Sequence, residues 1–238
     1  MFPYGPEIQI KASLKVNYQL VLEHLGPLLT EDRKEKINRI AQQRNFDTAV
    51  VLEGIYDRGN ISAVMRSAEG LGFGNFHVIE TQEKFKESNR VTQGADKWVE
   101  VTKWKTTKDC VAQLKKDGYK ICVTHLDATS KPLHEIDFSG KVALVLGNEK
   151  DGVTPEMVAA ADERVIIPMS GFVQSFNISV AGALSLYHIS QDRLKKRGTN
   201  ASLTEEEINI LKAYYYLRTQ DSGFDYLEEM FNRGTLKA

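Results

Sequence analysis

Residues 141–188 read KVALVLGNEKDGVTPEMVAAADERVIIPMSGFVQSFNISVAGALSLYH, and the rest of the chain is arranged around them. The stretch opens with an apolar run at 142–146, short enough for a buried strand and closed by Gly147 and Asn148. Gly147-Asn148-Glu149 puts a carboxylate in a tight loop at the strand's C-terminal end, where open parallel sheets bind ligands. A second apolar run at 165–167 stops at Pro168, which has no N–H for a ladder. Beyond it, Ser170-Gly171 and then Ser175-Phe176-Asn177-Ile178-Ser179 lead into a helix rich in Ala, Gly and Leu. Taken singly, each of these residues also reads as turn chemistry or a helix cap. Their succession at two strand ends is what marks a site.

Upstream, residues 48–52 form a β-branched buried run, and Gly59-Asn60-Ile61-Ser62 starts a helix. Ala63, Val64, Ser67, Ala68 and Leu71 give that helix its buried face. Further strands fall at 76–79, 98–102 and 119–126, with a helix over 107–116, a polar loop over 81–96 and a turn-rich loop over 127–140. Gly70-Leu71-Gly72-Phe73-Gly74 is no dinucleotide loop, because it follows a helix and precedes a strand. The alternation predicts an α/β fold with a mostly parallel sheet covered by helices on both faces. Residues 1–45 read as a helical N-terminal extension, with helices at 16–25 and from Thr30 to about Arg44. After the break at Gly198-Thr199-Asn200, residues 198–238 read as a helical C-terminal extension, with Thr204 as N-cap and Glu207 at N3. The body is thus 46–197, and the flanks are appendages without a core of their own.

The composition, 42% hydrophobic and 26% charged, is that of a soluble globular protein. No apolar run approaches the ~20 residues of a membrane span, and the N-terminus lacks the pattern of a secretory signal. Only two cysteines, Cys110 and Cys122, argue against a disulfide framework and suit a reducing cytosol. The five histidines show no metal-ligand spacing, so no metal site is expected. The net charge of −1 hides an uneven distribution. Residues 84–120 carry ten Lys/Arg against five acids, a net +5, and Arg193-Leu194-Lys195-Lys196-Arg197 ends a helix. Such runs are either a solvated face and helix-end cations or phosphate contacts.

Three ordered motifs carry a family resemblance. Asn60 is followed six residues on by Arg66; Leu146-Gly147-Asn148-Glu149 comes with Gly152; Ile167-Pro168-Met169 comes with Gln174-Ser175-Phe176-Asn177-Ile178-Ser179-Val180-Ala181. Together they resemble motifs 1, 2 and 3 of the SpoU/TrmH RNA 2′-O-ribose methyltransferases, of the SPOUT class. The resemblance spans about residues 45–195. It implies a deep C-terminal trefoil knot, a homodimer built around it with shared active-site residues, and S-adenosylmethionine as cofactor. The helix over 179–185, rich in small residues, suits close packing between copies or burial within one chain.

The resemblance also assigns roles. Arg66 stands nearest the attacking ribose hydroxyl, as a base or as an electrostatic activator that grips the adjacent phosphate. Asn60 orients Arg66 or the ribose, or merely caps its helix. Glu149 and Asn177 line the catalytic pocket in support, and Thr124, Gly147, Ile167 and Phe176 hold the cofactor, with Ile167 and Phe176 flanking adenine. Phe176 replaces the leucine common here in relatives, and both give an apolar wall. The short flanks resemble the TrmH arrangement, so tRNA is favoured over rRNA, and a guanosine of the D-loop over other bases. A non-catalytic RNA-binding module of this fold is the alternative from a different class.

Overall fold

β1 (Glu7–Lys11) and β2 (Leu14–Asn17) open the chain as an antiparallel hairpin, a strand pair that the helical expectation for residues 1–45 omits. The cause is a period of two: Ile8, Ile10, Leu14 and Val16 are buried while Gln9, Lys11 and Lys15 are exposed. α1 (Tyr18–Leu25) follows, capped by Asn17, and α2 (Glu31–Gln42) starts at Thr30, whose side chain accepts from the Arg33 amide. The computed structural model describes residues 2–12, 14–80, 94–220 and 222–235. The chain divides into two units, Asn45–Asn200 and a second made of Phe2–Arg44 with Ala201–Ala238.

The first unit holds β3 (Asn45–Glu53), α3 (Arg58–Gly70), β4 (Phe73–Ile79), β5 (Glu100–Trp104), α4 (Thr107–Lys116), β6 (Lys120–Thr124) and the short β7 (Lys131–Pro132). Then come β8 (Val142–Leu146), α5 (Pro155–Ala160), β9 (Glu163–Ile166) and α6 (Ile178–Arg197). The seven strands pair only in parallel, in the order β5-β4-β3-β8-β6-β9-β7. Because side chains alternate across a strand, Val50, Leu52, Leu144 and Leu146 pack on one face with Val64 and Met65 of α3 and Leu186 and Ile189 of α6. Ala49, Val51, Ala143 and Val145 face the other way, against Cys110 and Leu114 of α4 and Met157 of α5. Both faces are therefore covered, as continuous apolar runs require. The central strands β3, β8, β6 and β9 end side by side, which brings Glu53, Leu146, Thr124 and Ile166 to one edge.

In the second unit α7 (Glu205–Thr219) carries the full capping box of Thr204 and Glu207, and α8 (Gly223–Asn232) ends the described helices. The terminal segments are not separate appendages: α1 and α2 both pack on α7. Val21, Leu25, Ile37 and Ala41 are buried here, as are Ile210, Leu211, Tyr215 and Leu217. Arg44 is buried too, donating to the Tyr215 hydroxyl at 2.8 Å. The apolar stripe on α2, Ile37, Ile40 and Ala41, is too thin to hold a helix alone, and α7 packs against it.

His77 in β4 sets an acid limit. The Trp104 indole donates to its Nδ1 at 2.9 Å, so a second proton must displace that bond inside the sheet. Burial pushes its pKa down to about 4 from 6.5. The unfolded chain then binds more protons between those values, so stability is full above about pH 6.5 and falls as pH drops toward 4. The loss reaches about 3 kcal/mol. His188, lowered chiefly by burial, adds in the same direction. Denaturant midpoints measured from pH 7 to 4 should show this slope, and His77→Gln should flatten it; an unchanged slope would remove the assignment.

Candidate active site

Asp57 caps α3 by accepting from the Gly59 amide, which places Asn60 in the helix's first turn with its side chain free for other work. Its amide donates to Oε1 of Glu149 at 2.5 Å. Its carbonyl accepts from Nδ2 of Asn177 at 3.3 Å. Asn177 in turn caps α6, its Oδ1 accepting from the Ser179 amide at 2.9 Å and the Ser179 hydroxyl at 2.5 Å. Residues 60, 149 and 177, drawn from three separate motifs, thus form one continuous hydrogen-bonded chain at the C-terminal edge of the sheet. Glu149 reaches Asn60 rather than Asn177, and Asn60 is no helix cap.

The loop that carries Glu149 is closed by its own backbone. Asn148 and Gly152 exchange hydrogen bonds of 3.0 and 2.8 Å, and the Asn148 side chain donates to the Gly54 carbonyl while accepting from the amides of Lys150 and Asp151. Gly152 takes a φ of 68°, open to glycine. A Cβ on Gly147 would lie 2.3 Å from the Gly152 carbonyl carbon, so the glycine is required first by this closure. Gly147→Ala should therefore displace the loop and cost at least about 100-fold in methyl-donor affinity or turnover, as misplacement of about 1 Å does. Isothermal calorimetry and single-turnover rates would check this; wild-type values in the variant would show that the loop tolerates opening.

Around this cluster lie the remaining residues expected to bind the cofactor. Thr124 ends β6 with its hydroxyl donating to the Val145 carbonyl at 3.0 Å. Ile167 is half-buried against the sheet core, and Phe176 is 37% exposed. Phe172, Val173 and Leu126 are exposed as well. Arg66 stands apart: it is exposed on α3, outside the Asn60–Glu149–Asn177 network, and no hydrogen bond or ion pair involves it among the described residues. Pairing with Glu69 is therefore not its role here. Burial pushes the thiols of Cys110 and Cys122 up to about 12, so neither is a nucleophile at neutral pH. No group that could hold a metal occurs among the described residues.

The basic cluster at 193–197 is mostly structural. Arg193 is fully buried, with Nη1 donating to the carbonyls of Phe138, Ser139 and Gly140 and Nη2 to Asp47. Lys196 pairs with Asp137 and Asp192, and Arg197 pairs with Asp47, which leaves Lys195 as the exposed cation without such a pair among the described residues. Of the +5 segment, Lys84, Lys86 and Arg90 lie outside the described residues, Lys120 pairs with Glu163, and Lys105, Lys108, Lys115 and Lys116 are exposed. One carboxylate escapes sequence reading altogether. Glu53 is fully buried, accepting from the Thr107 hydroxyl at 2.5 Å and from both the amide and the hydroxyl of Thr154 at 2.8 Å. The available signal was an acid ending the otherwise apolar run AVVL.

A parallel sheet whose strand ends gather Asn, Glu and Asn into one network defines an α/β protein with a group-positioning site at its sheet edge. The SpoU rRNA Methylase family model matches residues 47–187, which contain every residue of that network, and the chain belongs to this family. The chain is 36% identical over 215 residues to a tRNA (guanosine(18)-2′-O)-methyltransferase of Borreliella burgdorferi, covering 89% of this chain and 98% of that one. Among solved structures it resembles the TrmH/SpoU tRNA modifying enzyme of A. aeolicus, with a TM-score of 0.72 and 32% identity over 80% of this chain and 98% of that one. An AdoMet-bound rRNA methyltransferase from Sinorhizobium meliloti matches with a TM-score of 0.57 and 28% identity, covering 65% of this chain and 59% of that one.

Proposed function

We propose that this chain is an S-adenosylmethionine-dependent methyltransferase acting on the ribose 2′-hydroxyl of a tRNA guanosine in the D-loop. The observation that carries the reading is the convergence of Asn60, Glu149 and Asn177 at the sheet edge of a chain from this family. The ends of β6, β8 and β9 suit the cofactor: they offer loop backbone, with Ile167 and Phe176 as apolar walls. S-adenosylmethionine supplies an electrophilic methyl group. The protein's part is to bring the ribose oxygen in line with that methyl and to stabilise the charge left as its proton departs. Asn60 is held by both neighbours, so its amide is oriented before substrate arrives. Arg66, exposed on α3, fits electrostatic activation and bidentate phosphate binding better than a neutral base.

In this reading two copies pair and Arg66 serves the second copy's site, which accords with its standing outside the Asn60–Glu149–Asn177 network. Val180, Leu184 and Tyr187 form an exposed apolar stripe on α6, at i, i+4 and i+7, while Gly182 packs inward on Val64 and Leu146. The small residues thus serve the chain's own core, and the outward stripe suits a homodimer. A knot is in keeping with the topology: after β9, outside β6, the chain must return past β6 and β8 to set Asn177 beside Asn60. Exposed Lys105, Lys108, Lys115 and Lys116 suit phosphate contacts. No described helix is long and apolar enough to cross a membrane, and a cytoplasmic setting fits a tRNA substrate.

Methyl transfer from labelled cofactor to total tRNA and, separately, to protein-free rRNA tests the reading, with the modified nucleoside identified by mass spectrometry. Label in 2′-O-methylguanosine of tRNA is expected. Label in rRNA alone would overturn the substrate, and no cofactor binding at millimolar concentration would leave an RNA-binding module.

A further inference from the structure

We propose that Glu53 is a positioning residue for methyl transfer, a role that rests on the functional reading above. Its carboxylate is buried at the end of β3, and its hydrogen bonds go to Thr107 and Thr154 rather than to the Asn60–Glu149–Asn177 network. It does hold the root of the loop that delivers Glu149. Oε2 accepts the Thr154 amide and Oε1 the Thr154 hydroxyl, at the point where residues 147–153 pass into α5. The next residue, Gly54, turns with a φ of 65°, and its carbonyl accepts the Asn148 side chain at 3.1 Å, holding the loop's other root. Both roots are thus fixed to two consecutive residues, and the same connection runs on through Asp57 to Asn60. One backbone segment therefore sets both partners of the Asn60–Glu149 bond. A buried carboxylate whose bonds served α4 alone would need only Thr107; its bonds to Thr154 tie it to the catalytic loop.

Three variants separate positioning from stability. Glu53→Ala releases the loop root and should lower kcat/KM for methyl transfer by about 100-fold, the scale of a misplaced catalytic group. The loss should fall on kcat and the cofactor KM, leaving tRNA affinity unchanged. Glu53→Gln can keep an oxygen on the Thr154 amide and donate to both hydroxyls, so it should recover most of that loss despite the missing charge. Thr107→Val removes only the bond to α4, and should lower thermal stability while kcat/KM stays at the wild-type value. Hydrogen exchange of amides 148–154 should quicken in Glu53→Ala with β3 and β8 still protected. Wild-type kcat/KM in Glu53→Ala would overturn the proposal, as would Glu53→Gln being as impaired as Glu53→Ala. If Glu53→Ala does not fold, Thr154→Val carries the test, and undiminished kcat/KM in it would likewise overturn the role. Failure of the wild type to methylate RNA would instead strike the functional reading, with the exchange data still reporting on the loop.

Discussion

Replacing Arg66 with alanine is expected to lower kcat for RNA methylation by about 100- to 1,000-fold, the scale of removing one preorganised electrostatic donor. Because Arg66 is exposed and takes part in no hydrogen bond or ion pair among the described residues, the fold should be unaffected. Cofactor affinity by calorimetry should also stay at the wild-type value, since Arg66 is not among the residues proposed to hold the cofactor. The loss belongs to the transition state, so it should appear equally in kcat and kcat/KM. Arg66→Lys should fail almost as badly, because a point charge cannot reproduce the planar fork that grips a phosphate. Full activity in either variant would end the assignment. Mixing Arg66→Ala with an Asn177→Ala variant tests whether two copies pair and share sites. If copies share sites, mixed dimers should regain part of the activity that each variant lacks alone.

Arg193→Met should strongly destabilise the first unit. The guanidinium is fully buried and satisfies three consecutive carbonyls, of Phe138, Ser139 and Gly140, and the carboxylate of Asp47. Removing it strands a buried acceptor set and should cost about 3–5 kcal/mol. At this chain length that is a fall of roughly 10 °C in Tm. Arg193→Lys should recover little, since one ammonium cannot span all four acceptors. Chemical denaturation followed by circular dichroism would measure both. A loss below about 1 kcal/mol would show that the 137–140 loop has other anchors. In contrast, Lys195→Ala should leave stability unchanged, because Lys195 is exposed and unpaired among the described residues.

The two readings of the 193–197 cluster were equally open in the sequence, and the structure separates them by depth. A run of cations at a helix end looks the same whether it faces water or a loop fifty residues upstream. Only the approach of Asp47, Asp137 and residues 138–140 decides it. Glu53 teaches the same lesson with opposite charge: its partners Thr107 and Thr154 lie far along the chain, and no local pattern joins them. The hairpin at residues 7–17 is a different kind of miss. Its alternation of Ile8, Ile10, Leu14 and Val16 was present in the letters.

What the sequence determined alone was whatever depends on neighbours along the chain. The buried runs of β3, β6 and β8, the caps at Thr30 and Thr204, and the order of the three motifs were legible because strand burial, capping and turns are short-range effects. Strand order was not legible: β8 lies between β3 and β6, although both precede it in the chain. That insertion is what sets Glu149 beside Asn60, the residue that Asn177 also reaches. The joining of the two terminal segments into one unit was likewise decided in three dimensions, since each offers only part of a buried surface and a core forms where the parts meet.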